Sequence, residues 1–144
     1  MRLTLHTSYS LRLLIYLAVR DDGLATVADV AESYGISRHH LTKVAHRLGL
    51  DGYVETTRGR KGGLRLARPA GDVSVGEVVR LTEPDLAVVP CMRPVNAPCP
   101  LVPSCRLRAV MGQARDAFLA ILDGYTLAQV AAPGAELREL LGVV

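Results

Sequence analysis

The 144-residue sequence predicts a mainly α fold with a small β-hairpin wing, namely a winged helix-turn-helix DNA-binding domain followed by a long C-terminal dimerisation helix. Three observations lead there. Two amphipathic stretches, "TVADVAESYG" and "ISRHHLTKVAHRLGLDG", follow one another through the short glycine-containing turn "YGIS", the spacing of a helix-turn-helix. The period then switches to strand, turn and strand in "YVETT", "RGRKGG" and "LRLAR", with glycines and cations at the tip. Further on, "SCRLRAVMGQARDAFLAILD" repeats apolar residues at steps of three and four over its whole length.

In chain order, residues 7–20 read as a first helix. Thr7 or Ser8 is its cap, Leu11, Leu14, Ile15 and Ala18 form its stripe, and Leu13 and Leu17 widen it. Thr26 caps a second helix, with Asp29 in the acidic slot of a capping box and Gly35 as the stop. Ser37 caps a third helix reaching about Leu50, with Leu41, Val44, Ala45 and Leu48 inside and Arg38, His39, Thr42, Lys43, His46 and Arg47 outside. After the hairpin, Ser74 opens a fourth helix that turns Val75, Val78, Val79 and Thr82 inward and ends at Pro84. The long helix covers about 104–122 and carries Leu107, Val110, Ala114, Ala117, Phe118 and Ile121. Thr126 then caps a short helix, and a break at Pro133–Gly134 precedes a terminal one. The organisation expected is a DNA-binding domain over 1–83, a cysteine loop over 84–106, and a dimerisation helix with C-terminal tail over 104–144.

The formal charge of +3 is unevenly spread: residues 37–68 hold 8 basic and 2 acidic side chains. Such a block is either a solvated face or the footprint of a polyanion. Its location on the second helix of a helix-turn-helix and on the hairpin favours double-stranded DNA. In such modules the N-terminal part of the recognition helix reaches base edges. Ser37, Arg38, His39, His40, Thr42 and Lys43 stand there. At the wing tip Arg58, Gly59, Arg60 and Lys61 are suited to phosphates or the minor groove. Half-site recognition implies a two-fold symmetric operator and a homodimer, with the apolar stripe of the long helix as the interface.

All three cysteines, Cys91, Cys99 and Cys105, fall within "PCMRPVNAPCPLVPSC". Their C-x7-C-x5-C spacing lacks the close pairs of structural zinc sites. Soft thiolates on long, proline-stiffened spacers suit an iron–sulfur cluster, 2Fe-2S or 4Fe-4S, with zinc or a metal-free thiol redox switch as the alternatives. No Ser/His/Asp set, phosphate-cradling loop or carboxylate pair points to an enzyme. The apolar core "LLIYLAV" near the N-terminus is too short to span a membrane and no small-residue cleavage pattern follows it, so a cytoplasmic protein without membrane contact is expected.

The stretches "MRLTLHTSYSLRLLIYLA", "VADVAESYGISRHHLTKVAHRLGLDGYVETTRGRKGGLRLARPA" and "VGEVVRLTEPDLAVVPC", followed by "CPLVPSCRL", resemble the iron–sulfur winged-helix repressor family that includes NsrR, IscR and RirA. The resemblance covers roughly residues 1–130 and is most specific in the wing "RGRKGGLRLARP" and the three-cysteine loop. It implies a homodimeric repressor whose cluster, ligated by Cys91, Cys99 and Cys105, controls DNA binding. "SYGISRHHLTKVAHRL" and the "FLAILDGYTLAQV" tail are most similar to the nitric-oxide-sensing branch, which makes nitric oxide the implied signal. The IscR-like branch carries a histidine where Arg108 stands here, and the iron-responsive RirA-like branch is the runner-up. The resemblance further implies a fourth ligand from the first helix of the partner subunit, where Ser8 occupies the position of the usual aspartate. Ser8 as an alkoxide, the neighbouring His6, or an open position taken by water or a small thiol are the alternatives.

Overall fold

A computed structural model describes residues 2–20, 23–93 and 99–143. The elements run α1 (Leu5–Val19), α2 (Val27–Tyr34), α3 (Arg38–Leu50), β1 (Val54–Thr57), β2 (Gly63–Leu66), α4 (Val75–Thr82), α5 (Arg106–Asp123), α6 (Leu127–Val130) and α7 (Gly134–Leu141). Short 3-10 turns stand at Ala70–Asp72, Pro90–Met92 and Val102–Ser104. The order is that of a winged helix-turn-helix with a long helix behind it.

The core gathers around α1, which buries Leu13, Leu14, Tyr16, Leu17 and Val19. This helix begins earlier than its local pattern predicts, because Thr4 caps it rather than Thr7 or Ser8. The Thr4 hydroxyl accepts the Thr7 N–H at 3.2 Å, while Thr4 N–H donates to Glu83 Oε1 at 2.7 Å. Thr7 lies inside the helix, fully buried, and its hydroxyl accepts from Thr82 at 2.9 Å. A buried hydroxyl needs such a partner, and here the partner lies across the core.

The second and third helices follow the sequence closely. Thr26 and Asp29 form the capping box, with N–H to oxygen distances of 2.8 and 3.1 Å, and Gly35 ends α2 in the left-handed region at φ 62°. Helix α3 buries Leu41, Val44, Ala45 and Leu48. Ser37 precedes it but makes no side-chain cap bond. The hairpin pairs Val54 with Leu66 and Thr57 with Gly63, and Leu64 makes a two-way backbone bridge to Ala25 at 2.7 and 3.0 Å. That bridge seats the wing on the α1–α2 connection. In the tip, a side chain at Gly62 would run into the Thr57 carbonyl oxygen and stand 2.9 Å from that of Gly59, so the tight turn requires glycine.

Ser74 caps α4 by accepting the Glu77 N–H at 3.4 Å, and Val78, Val79 and Thr82 are buried while Val75 is half-buried. Helix α4 lies between α1 and α5. A Cβ on Gly76 would meet the Asp123 side chain and stand 2.8 Å from its backbone nitrogen, so the two helices approach too closely for any other residue. Arg80 forks onto both carboxylate oxygens of Asp123, with Nη2 to Oδ2 at 2.8 Å.

The tail turns back on its own chain. Leu127, 1% exposed, and Val143 join the core beside α1. Leu127 N–H donates to Val73 O at 2.8 Å, Arg138 Nε to Val19 O at 2.9 Å, and Ser33 Oγ to Leu141 O at 2.7 Å. Residues 127–143 therefore close one side of the core around α1. Among the described residues no helix is long and apolar enough to cross a membrane.

Candidate nucleic-acid interface and cysteine loop

Helix α3 turns its inner stripe into the core, which leaves Arg38, His39, His40, Thr42, Lys43, His46 and Arg47 exposed on one continuous outer face with Ser37 at its start. Arg47 is held by Asp51 at 2.8 Å, and the Thr42 hydroxyl folds back to the Arg38 carbonyl at 2.9 Å. The wing projects Arg58, Gly59, Arg60 and Lys61 into solvent. Among the described residues Arg38, Lys43, Arg58, Arg60 and Lys61 form no ion pair, whereas Arg65 holds Glu55 across the hairpin at 2.7 Å. Unpaired cations on an exposed helix and an adjacent hairpin tip are what a phosphate backbone needs. Tyr9 of α1 also reaches this face, its ring 6.3 Å from that of His40.

Behind the interface lies a polar group that no spacing in the sequence announces. Tyr53, just after α3, donates its hydroxyl to Glu77 Oε1 at 2.5 Å, and Arg68, just after β2, donates Nη2 to the same oxygen at 2.7 Å. The Arg68 guanidinium lies over the Tyr53 ring, 4.3 Å from its centroid. Burial, and then the bond to Glu77, push the Tyr53 hydroxyl up to about 12. The Tyr53 and Arg68 donors hold the Glu77 carboxyl below its ordinary value, and Glu77 in turn raises Arg68.

The cysteine loop meets the first turn of α5. Cys105 caps that helix, its Sγ accepting the Arg108 N–H at 3.4 Å, and the Arg108 side chain donates Nε to the Cys91 carbonyl at 3.1 Å. Cys91 lies in the turn Pro90–Met92, and Arg93 beside it pairs with Asp85 at 3.1 Å. The Cys99 carbonyl accepts from Val102 N–H at 3.2 Å. All three thiols are free and half-buried. Residues 94–98 of the loop lie outside the described residues. Ser8 and His6 sit half-buried in the first turns of α1 and, among the described residues, make no side-chain hydrogen bond to the cysteine loop. Among the described residues no three His, Cys, Asp or Glu side chains converge on a metal-sized site. The donor chemistry nevertheless fits an iron–sulfur cluster: three soft sulfurs free of disulfides, the Cys105 sulfur at the positive end of α5, and the backbone of Cys91 tied to the same turn by Arg108.

Helix α5 buries only Leu119 fully. Leu107 (61% exposed), Val110, Ala114, Ala117 and Ile121 (65%) stand outward at alternating steps of three and four, the spacing of an a/d seam, with Phe118 half-buried at its border.

Residues 3–133 match the family described as Rrf2, Iron-dependent Transcriptional regulator. The chain is 45% identical over 142 residues to the HTH-type transcriptional regulator NsrR of Geobacillus kaustophilus, covering 98% of this chain and 97% of that protein. It is 46% identical over 142 residues to the protein of the same name from Bacillus subtilis, with the same coverage. Both carry the names of regulators, not of enzymes. Among solved structures, that of CymR, the global cysteine regulator of B. subtilis, matches with a TM-score of 0.74 at 24% identity, covering 92% of this chain and 97% of that one, a likeness of fold.

Proposed function

The chain belongs to the Rrf2 family of iron-dependent transcriptional regulators, and from that premise we propose that this NsrR-like, DNA-binding member is a homodimeric repressor whose iron–sulfur cluster, held by Cys91, Cys99 and Cys105, sets operator affinity in response to nitric oxide. The observation that carries the reading is the seat of the cysteine loop. Cys105 caps α5, and Arg108 ties the Cys91 segment to the same turn. The state of the loop therefore bears directly on the helix with the outward apolar stripe.

Two copies pair through Leu107, Val110, Ala114, Ala117 and Ile121, which sets the distance between the two α3 helices. Ser37, Arg38, His39, His40, Thr42 and Lys43 read base edges in the major groove, and Arg58, Gly59, Arg60 and Lys61 grip the neighbouring backbone. The cluster supplies the iron that nitric oxide reacts with. Cys91, Cys99 and Cys105 would hold the cluster, and their ligation would tie their segments to the first turn of α5 and so fix the spacing of the two modules. Release of the thiols lets the loop loosen, and affinity falls. A 100-fold change requires about 2.7 kcal/mol of coupling, within the ordinary range for linked sites. Ser8 or His6 of the first helix, or an external ligand, completes the fourth position.

The free, half-exposed state of all three thiols also suits a metal-free redox regulator of the same fold. Anaerobic purification separates the two readings. A brown protein with stoichiometric iron and sulfide supports the cluster, and a colourless protein that titrates three thiols replaces it with the redox regulator. An effect of iron supply, but not of nitric oxide, on DNA retardation makes the chain an iron sensor instead.

A further inference from the structure

We infer that Glu77 is the positioning residue of the DNA-reading surface: it touches no DNA and fixes both the recognition helix and the wing to α4. One carboxylate oxygen, Oε1, receives two donors from the two parts that read DNA. Tyr53 follows α3 after two residues of turn, and Arg68 follows β2 after one residue, Ala67. The two donors are also stacked on each other, the Arg68 guanidinium on the Tyr53 ring. Arg68 Nε is shut away from solvent with no hydrogen-bond acceptor, so this side chain is committed to the ring and to Glu77. Moving Glu77 would release the C-terminal end of α3 and the base of the hairpin together.

The anchor itself is closely held. Glu77 lies in the first turn of α4, next to Gly76, whose missing side chain lets α4 touch Asp123. One turn on, Arg80 forks onto that same Asp123 at the end of α5. The surface that reads DNA is therefore hung on α4, and α4 is pinned to α5. The inference rests on the DNA-binding reading of α3 and the wing, and it is independent of the cluster.

The test compares wild-type protein with Glu77→Gln and Tyr53→Phe, each checked for thermal unfolding. Two probes are used: a duplex selected from a random pool by the wild-type protein, and a mixed-sequence duplex at low salt. Glu77→Gln keeps the size of the side chain and removes its charge. It should weaken the selected duplex about tenfold, the loss expected for a charged hydrogen bond, while the mixed duplex changes less than about twofold. The slope of affinity against salt stays the same, since no phosphate contact is removed. Tyr53→Phe should give a smaller loss, and the double variant should lose no more than Glu77→Gln alone. A merely structural role would lower the active fraction toward both duplexes equally, and that result overturns the proposal. So does a selected-duplex affinity that Glu77→Gln leaves at the wild-type value. Failure of the wild-type protein to select any sequence overturns the DNA-binding reading itself, and the inference with it.

Discussion

At the wing tip, Arg58, Arg60 and Lys61 differ from Arg65 in having no acidic partner among the described residues, whereas Arg65 is engaged with Glu55. A cation free of internal partners can neutralise a phosphate at no cost in broken pairs. Arg60→Ala should weaken binding to every duplex and lower the salt slope by about one. Arg38→Ala or His39→Ala, on the exposed start of α3, should relax preference at particular half-site positions, with about 1–3 kcal/mol of discrimination lost per base contact. Selection from a random pool reads that difference directly. The carboxylates make a separate expectation for stability. Glu77 is held below its ordinary 4.5 by Tyr53 and Arg68, and Asp123 below its ordinary 3.8 by Arg80. Both bind protons less readily folded than unfolded, so their contribution is complete above the ordinary carboxylate range and is lost as pH falls through the lowered values. Tyr53 works in the other direction: raised from 10 to about 12, it contributes fully below pH 10 and loses its contribution as pH rises from there toward 12. Thermal unfolding followed from pH 7 to pH 3 should show Tm falling, and Glu77→Gln should flatten part of that fall.

Among the elements, α5 carries the seam proposed to pair with a second copy, since Leu107, Val110, Ala114, Ala117 and Ile121 are exposed in the single chain. Leu107→Glu combined with Ile121→Glu should give a folded monomer by analytical ultracentrifugation, with Tm of the isolated module little changed. Gly76→Ala should instead destabilise the chain by about 1–3 kcal/mol, the usual cost of overpacking, because the Asp123 backbone cannot withdraw. The elements also differ in how legible they were. Helices α2 and α3 could be read because their stripes, the Thr26–Asp29 box and the Gly35 stop are all local. The start of α1 could not: its cap, Thr4, is fixed by Glu83, 79 residues away. Ser37 has the residue type of a cap without the bond, so type alone overstated its role. The chemistry of the cysteine loop was visible in its three thiols, but Arg108's tie to Cys91 and the Tyr53–Glu77–Arg68 group depend on tertiary approach, which spacing does not encode. Nor did the apolar pattern of the tail reveal that Leu127 and Val143 fill the core of the same chain.

On the scale of the whole molecule, the cysteine loop, α5, α4 and the face of α3 and the wing proposed to read DNA are joined in series by Cys105 and Arg108, then Arg80 and Asp123, then Glu77 with Tyr53 and Arg68. Such a chain of contacts carries coupling only if its ends have two states. Replacing Cys91, Cys99 or Cys105 by Ala should abolish cluster assembly and leave the fold intact. Ser8→Ala and His6→Ala, reconstituted separately, show through iron and sulfide content whether either residue holds the fourth position. The most direct measurement is anaerobic DNA retardation on a selected duplex, with cluster-loaded protein, cluster-free protein, and loaded protein treated with nitric oxide. Tight binding by the loaded form, with a loss of about 100-fold on removing the cluster or adding nitric oxide, is the result expected. Equal affinity in all three states would contradict cluster control of DNA binding.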